Sequence, residues 1–281
     1  MKKLFLYTAL VTILAACEKE IPFEGDFAEQ DVVLNCYLGA GEPVVYAQVS
    51  RSETVISSEP FEFVTNATLV LYKNGTSVGT FSHVGEGRYE LQHEPVAGAI
   101  YRIVCTDPVL GTVEASTYVP NFVGMGIYNN VPPPFEGDFQ TFDIRFQDAA
   151  TNDNFYHLLF YAFGFDFSSI LTFQTKTEFL RSGNAEFGEE YANFWDDCLF
   201  ADDAFNGQEG EIDIRLVTGP GMEIRAQLVH VSEDYFNFVK SLKLYNEASG
   251  NPFSQPVQIY SNIEGGLGIF AGYATAEVLV P

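Results

Sequence analysis

Between Asp31 and Tyr118 the chain is cut into many short strand-like runs, each closed by a turn signal. The runs are Asp31–Leu38, Val44–Val49, Ala67–Tyr72, Ser77–Ser82, Gly87–Leu91, Ile100–Thr106 and Thr112–Tyr118. Asn74-Gly75 lies between the third and fourth. That pair suits a two-residue hairpin, because both central residues of the turn need φ > 0. About seven short strands in about ninety residues predict a Greek-key sandwich of immunoglobulin or transthyretin type over residues 31–119.

Residues 140–281 read as a second β domain, sandwich-like and carrying one amphipathic helix. Strand-like runs are Thr141–Gln147, Tyr156–Phe163, Ile212–Val217 and Glu223–Val231, with closing strands Val257–Tyr260 and Ala274–Val280. The helix is expected over about 232–248, where apolar residues fall at 235, 238, 239, 242 and 245. Ser232 suits its N-cap, Glu233 and Asp234 its positive end, and Gly250 with Pro252 its stop. Between the two domains, residues 120–139 hold Pro132-Pro133-Pro134 and read as a stiff connector. The class is therefore mainly β. The 26 Phe and 15 Tyr agree with it, and 47% hydrophobic against 19% charged residues exclude a mostly disordered chain.

The first residues speak for compartment. Lys2 and Lys3 precede the thirteen-residue, largely apolar stretch Leu4–Ala16, too short for a membrane span and right for a signal-peptide core. The stretch closes Leu14-Ala15-Ala16-Cys17, which resembles a bacterial lipobox. Residues 1–16 are then a signal peptide, Cys17 the lipidated first residue of the mature chain, and 17–30 its lipid anchor and tether. The other reading of the same residues is a plain secretory signal with a chance Cys. Acyl chains on one residue anchor a protein stably, since each buried CH₂ contributes about 0.8 kcal/mol. The net charge of −24 argues against a nucleic-acid partner, which needs clustered Lys and Arg.

Motifs of catalytic type are out of context. Gly75-Thr76-Ser77-Val78-Gly79 matches G-x-S-x-G but sits in a hairpin rather than a strand-to-helix turn. Gly266-Leu267-Gly268-Ile269-Phe270-Ala271 lies too near the end of the sequence to open a dinucleotide-binding unit. Its glycines are expected to permit a tight bend or a close backbone approach. His83, His93, His157 and His230 form no zinc spacing. Cys36 and Cys105 fall in strands of the first domain and are read either as a disulfide or as buried thiols. Residues 186–213 hold ten acids and no Lys or Arg. Such a segment is read as a solvated loop, a docking surface or a structural Ca²⁺ site with candidates Asp202, Asp203, Asn206 and Glu209. Apart from that Ca²⁺, no cofactor is expected. A glycan hydrolase using two of these carboxylates is a further reading. Aromatic residues are enriched at interfaces, and Phe163, Phe165, Phe167, Phe194 and Trp195 are the loop candidates.

Several segments together carry a resemblance. Cys17-Glu18-Lys19-Glu20, Gly87-Arg88-Tyr89, Asp202–Gly207, Ser232–Tyr235, Asn251–Val257 and above all Ser261–Gly272 resemble the Bacteroidota lipoprotein family called domain of unknown function 4249. The charged run after Cys17 also resembles the surface-export signals of such lipoproteins. The resemblance implies an outer-membrane lipoprotein, often encoded beside a TonB-dependent receptor; with no catalytic constellation in the sequence and the charged run after Cys17, a non-enzymatic, surface-exposed protein is expected. The expected role is an accessory or binding subunit of that transporter. A stand-alone adhesin or glycan-binding lipoprotein is the alternative. The family transfers no catalytic residue.

Overall fold

The structure, a computed structural model, describes residues 30–53, 62–135, 139–150, 152–164, 167–170, 173–176, 191–194, 198–203, 205–217, 222–249, 254–255 and 257–281. These residues are mostly β, arranged in several sheets with one helix. The N-terminal half supplies β1 (Val32–Gly39), β2 (Val44–Arg51), β3 (Thr68–Lys73), β4 (Thr76–Thr80), β5 (Ser82–Gly85), β6 (Arg88–Gln92), β7 (Ile100–Asp107) and β8 (Gly111–Tyr118). Then come β9 (Met125–Val131), β10 (Phe139–Gln147), β11 (Phe155–Gly164), β12 (Phe167–Ile170), β13 (Phe173–Lys176) and β14 (Tyr191–Phe194). The chain continues through β15 (Cys198–Ala201), β16 (Glu209–Val217), β17 (Glu223–Val231), helix α1 (Glu233–Ser249) and β18 (Leu267–Val280).

A central sheet in the order β12-β11-β17-β18-β1-β2-β6-β5 draws on both halves, and β15 pairs the start of β11. Two smaller sheets, β4-β3-β7-β8 and β14-β13-β16-β10-β9, flank it. Alternation decides which residues meet. Leu34, Cys36 and Leu38 of β1 and Phe270 of β18 share a core with Leu69 and Leu71 of β3 and Tyr101 and Ile103 of β7. Ile224, Ala226 and Leu228 of β17 and Val280 of β18 share a second core with Phe142 and Ile144 of β10 and Ile212 and Ile214 of β16. Phe270 and Val280 are an even number of residues apart on one strand, so both small sheets cover the same face of the central sheet. The opposite face receives α1, where Phe236 packs on Phe155 with ring centroids 4.7 Å apart.

One strand joins the halves. β18 runs parallel to β1 from Leu267 to Tyr273 and antiparallel to β17 from Tyr273 to Val280. Glycines within it make this pairing feasible. Gly268 has φ +114, and a Cβ there would lie 2.1 Å from the Leu34 carbonyl oxygen. A Cβ on Gly272 would lie 2.3 Å from the Tyr118 carbonyl oxygen. A close backbone approach is thus what these glycines permit. Beside β18, Asn262 stands in for a strand: its Nδ2 donates to Phe270 O at 2.8 Å and its Oδ1 accepts from Phe270 N at 2.9 Å.

The hairpin and the two ends of the helix obey their local signals, whereas the helix residue that is buried is Phe236, off the expected stripe, and Tyr245 of that stripe is exposed. Asn74 and Gly75 have φ 47 and 83, the double positive that the turn needs. Ser232 caps α1 by accepting from Tyr235 N, and its Oγ also accepts from Gly272 N at 3.2 Å. Two segments differ from their sequence reading. The expected connector 120–139 contains β9, an edge strand whose Tyr128 ring lies under Arg145 at 4.9 Å. The prolines begin just after it, where a missing N–H does no harm. Residues Val257–Tyr260 are irregular rather than a strand, because they run along α1, with Tyr260 N donating to Ser241 Oγ at 2.8 Å. Cys36 and Cys105 are buried free thiols in the first core, not a disulfide. Burial pushes both thiols up, Cys105 to about 12, which leaves them unreactive. Among the described residues no helix is long and apolar enough to cross a membrane.

Candidate functional site

The outer face of the central sheet is open beside α1. Alternation along three neighbouring strands turns Leu159 and Tyr161 of β11, Gln227 and Val229 of β17, and Tyr273 and Thr275 of β18 toward this face. Tyr235, at the start of α1, and Glu42, in the β1–β2 turn, close two sides. Together they line a cleft of about 340 Å³. Tyr273 OH donates to Glu42 Oε1 at 2.6 Å. Burial, and then that bond, raise the Tyr273 pKa. Burial and the charge of Glu277 raise that of Tyr161. Tyr235 OH sits 3.0 Å from His157 Nδ1, and the Tyr235 ring meets Tyr37 edge-on with centroids 5.9 Å apart. At one end of the cleft Gln227 Nε2 donates to Glu277 Oε2 at 2.7 Å. Arg225 pairs with Glu223 at 2.7 Å and Glu277 at 2.9 Å. Three aromatic rings, a carboxylate, an amide and a hydroxyl thus surround an apolar floor. This arrangement can stack flat surfaces and exchange hydrogen bonds.

A second cleft, of about 550 Å³, lies on the seam between Tyr118–Pro120 and the start of α1. Buried polar side chains lie beneath it. His230 Nδ1 is 2.8 Å from Asn121 O and Nε2 is 3.1 Å from Asn154 Oδ1. Its ring stacks on Tyr156, whose OH donates to Asp148 Oδ1. Asp148 Oδ2 accepts from Gly207 N at 2.8 Å. Asp202 Oδ2 accepts from Asn154 N at 3.0 Å and from Asn154 Nδ2 at 3.2 Å. Burial lowers the His230 pKa, opposed by the Asn121 carbonyl and the Asp148 charge. Burial raises that of Asp202, opposed by the two bonds from Asn154. At the rim, Asp234 accepts from Thr117 Oγ1 at 3.0 Å and Tyr260 OH at 2.9 Å, tying β8 and the 257–263 segment to α1. The acids and the histidine of this cleft therefore hold five chain segments together.

Residues 18–278 match the family model described as domain of unknown function (DUF4249). The chain belongs to that family. No curated protein matches the sequence. Among solved structures, similarity is found to a Salmonella α-2-macroglobulin reacted with methylamine, at 11% identity and TM-score 0.27. It covers 91% of this chain and 15% of that one. An Escherichia coli α-2-macroglobulin activated by porcine elastase gives 9% identity and TM-score 0.23, with 92% and 22% covered. The DUF4249 chain thus spans less than a quarter of either protein's length.

Within this DUF4249 chain the sequence candidates are scattered. Cys17 lies outside the described residues, as do Phe165 and Trp195. Phe167 and Phe194 lie in β12 and β14. Phe163 is on β11, two residues beyond Tyr161 and hence on the same outer face, with Arg225 over its ring at 5.0 Å. Of the Ca²⁺ candidates, Asp202 is buried with its carboxylate turned to Asn154, while Asp203, Asn206 and Glu209 are exposed. Among the described residues no group of three or more His, Cys, Asp or Glu could hold a metal ion. The sequence reading missed Glu42, Tyr161, Gln227, Tyr235 and Tyr273. The available signal was that Tyr161 and Gln227 sit on the polar-facing positions of otherwise apolar strands.

Proposed function

We propose that this DUF4249 protein is a surface-exposed lipoprotein of the outer membrane, anchored through Cys17 and working as a non-enzymatic binding subunit with a TonB-dependent transporter. The observation that carries the reading is a junction. The apolar leader ends at Cys17 and the family match begins at residue 18. Residues before the junction have the form of a lipoprotein signal, and residues after it form the family's own body. Its N-terminal half is read as a Greek-key sandwich of immunoglobulin or transthyretin type, holding the second half away from the lipid. The role of binding rather than catalysis draws on the use of Asp148, Asp202 and His230 as internal ties.

The test is an affinity pull-down of the tagged, lipidated protein from detergent-solubilised outer membrane, with the Cys17→Ala form as control. The reading expects palmitate incorporation that depends on Cys17, and a TonB-dependent barrel recovered in stoichiometric amount. Recovery of the lipoprotein alone in mild detergent and low salt contradicts the transporter partnership. A second reading, a stand-alone adhesin or glycan-binding lipoprotein, draws on the tyrosine-lined cleft, and such a lone recovery favours it.

A further inference from the structure

We infer that the tyrosine-lined cleft beside α1 binds a neutral saccharide. The inference rests on the reading of the chain as a binding protein and names the chemical class of its ligand. Tyr161, Tyr235 and Tyr273 come from three different elements and supply flat apolar area with a polar tip. Leu159 and Val229 make the floor apolar between them. The C–H faces of a sugar ring match such surfaces.

The polar groups select the class. The Glu42 carboxylate only accepts hydrogen bonds. The Gln227 amide, whose Nε2 is held by Glu277, offers its carbonyl oxygen. The hydroxyls of Tyr161 and Thr275 both donate and accept. A sugar hydroxyl also donates and accepts, so it can use this mixed set in full. An anionic ligand meets Glu42 and no Lys or Arg among the lining residues, in a chain of net charge −24. A quaternary ammonium would use the rings and Glu42 but would strip water from Gln227 and Thr275 without replacing those hydrogen bonds. The volume of about 340 Å³ is that of a small-molecule site rather than a protein interface. Continuous pairing fixes β11, β17 and β18 in register beneath it, so most of the wall needs no ordering on binding.

The test is titration calorimetry of the lipidated, full mature protein in a detergent without a sugar headgroup. The probes are the hexasaccharides of maltose, cellobiose, xylose, mannose and N-acetylglucosamine series, with choline chloride as the competing class. At least one hexasaccharide is expected to bind, and Tyr161→Ala to weaken it by about tenfold or more, as loss of a stacking ring should. Gln227→Ala is expected to weaken it as well, while Tyr46→Ala, on β2 outside the cleft, leaves it unchanged. Circular dichroism of each variant confirms that the fold survives. The inference is overturned by absence of binding to all five, by binding that neither cleft variant alters, or by binding of choline alone. The isolated protein is used, so a negative result here leaves the transporter pull-down free to succeed.

Discussion

The two halves of the central sheet are closed by different physics. Over β1, β2 and β6 the covering is apolar: Leu34, Leu38, Leu69, Leu71, Tyr101 and Ile103 interdigitate, and the thiols of Cys36 and Cys105 behave as small hydrophobes. Over β11 and β17 a comparable apolar core is joined at one end to a buried polar network of Asp148, Asn154, Tyr156, Asp202 and His230. An apolar core tolerates changes that keep its volume. A buried network does not tolerate the loss of one member, since each group left behind keeps its desolvation penalty. The first half should therefore be forgiving and the second brittle, with β18 transmitting damage between them.

The largest effect is expected where that transmission occurs. Gly268→Val places a branched side chain against the Leu34 carbonyl at a φ that valine avoids, and should cost about 4 kcal/mol or more. Chemical denaturation read by circular dichroism measures it, and a loss below about 1 kcal/mol would mean that the β1–β18 pairing can be given up cheaply. Next comes the network. Asp202→Ala leaves Asn154 N without its acceptor, while Asn154 Nδ2 keeps Ala149 O and Asn152 O, and should cost about 1–3 kcal/mol, whereas Asp202→Asn keeps an acceptor oxygen and should cost less. Equal losses for the two would show that cavity formation, not hydrogen bonding, dominates there. Ser232→Ala removes the cap of α1 and the partner of Gly272 N, for about 1–2 kcal/mol by the same measurement.

Much of the apolar half was legible in the sequence. β1 to β3 and β6 to β8 lie within a residue or two of their strand-like runs, because turn residues bound each run and mark where a strand must stop. Asn74-Gly75 and Ser232 were legible for the same reason, since a turn or a cap is specified by adjacent residues. What was not legible is long-range. Nothing in Val33–Gly39 names Leu267–Tyr273 as its parallel partner. β9 escaped notice because an edge strand with the burial of Met125–Val131 has no buried stripe to show. The members of the network look individually like loop polar residues or strand aromatics, and only the fold brings them together. The tyrosines of the cleft stand at 161, 235 and 273, so aromatic content was visible but convergence was not.

A smaller and more diagnostic effect concerns pH. His230 has a lowered pKa through burial, so the unfolded chain binds its proton first as pH falls. Stability should therefore decline as pH drops through the ordinary histidine range toward the folded value, and His230→Gln should flatten that slope. Asp202, raised by burial, acts with the opposite sign below it: its ionisation costs stability as pH rises through the carboxylate range. Melting temperatures between pH 7 and 5 measure the histidine effect. A slope of the opposite sign would mean that the doubly protonated ring is the form that fits between Asn121 O and Asn154 Oδ1. The smallest effect belongs to the exposed cross-strand pair Arg102–Glu114 on the apolar half, where Arg102→Ala should cost about 0.5 kcal/mol and less in high salt.

The central claim is that β18 makes one cooperative body of two differently built halves. Hydrogen exchange measured by mass spectrometry in increasing, sub-denaturing urea tests it most directly. Peptides from β1, β17 and β18 should converge on one opening free energy with one urea dependence. Separate urea dependences, one for β1 to β8 and another for β10 to β17, would contradict it.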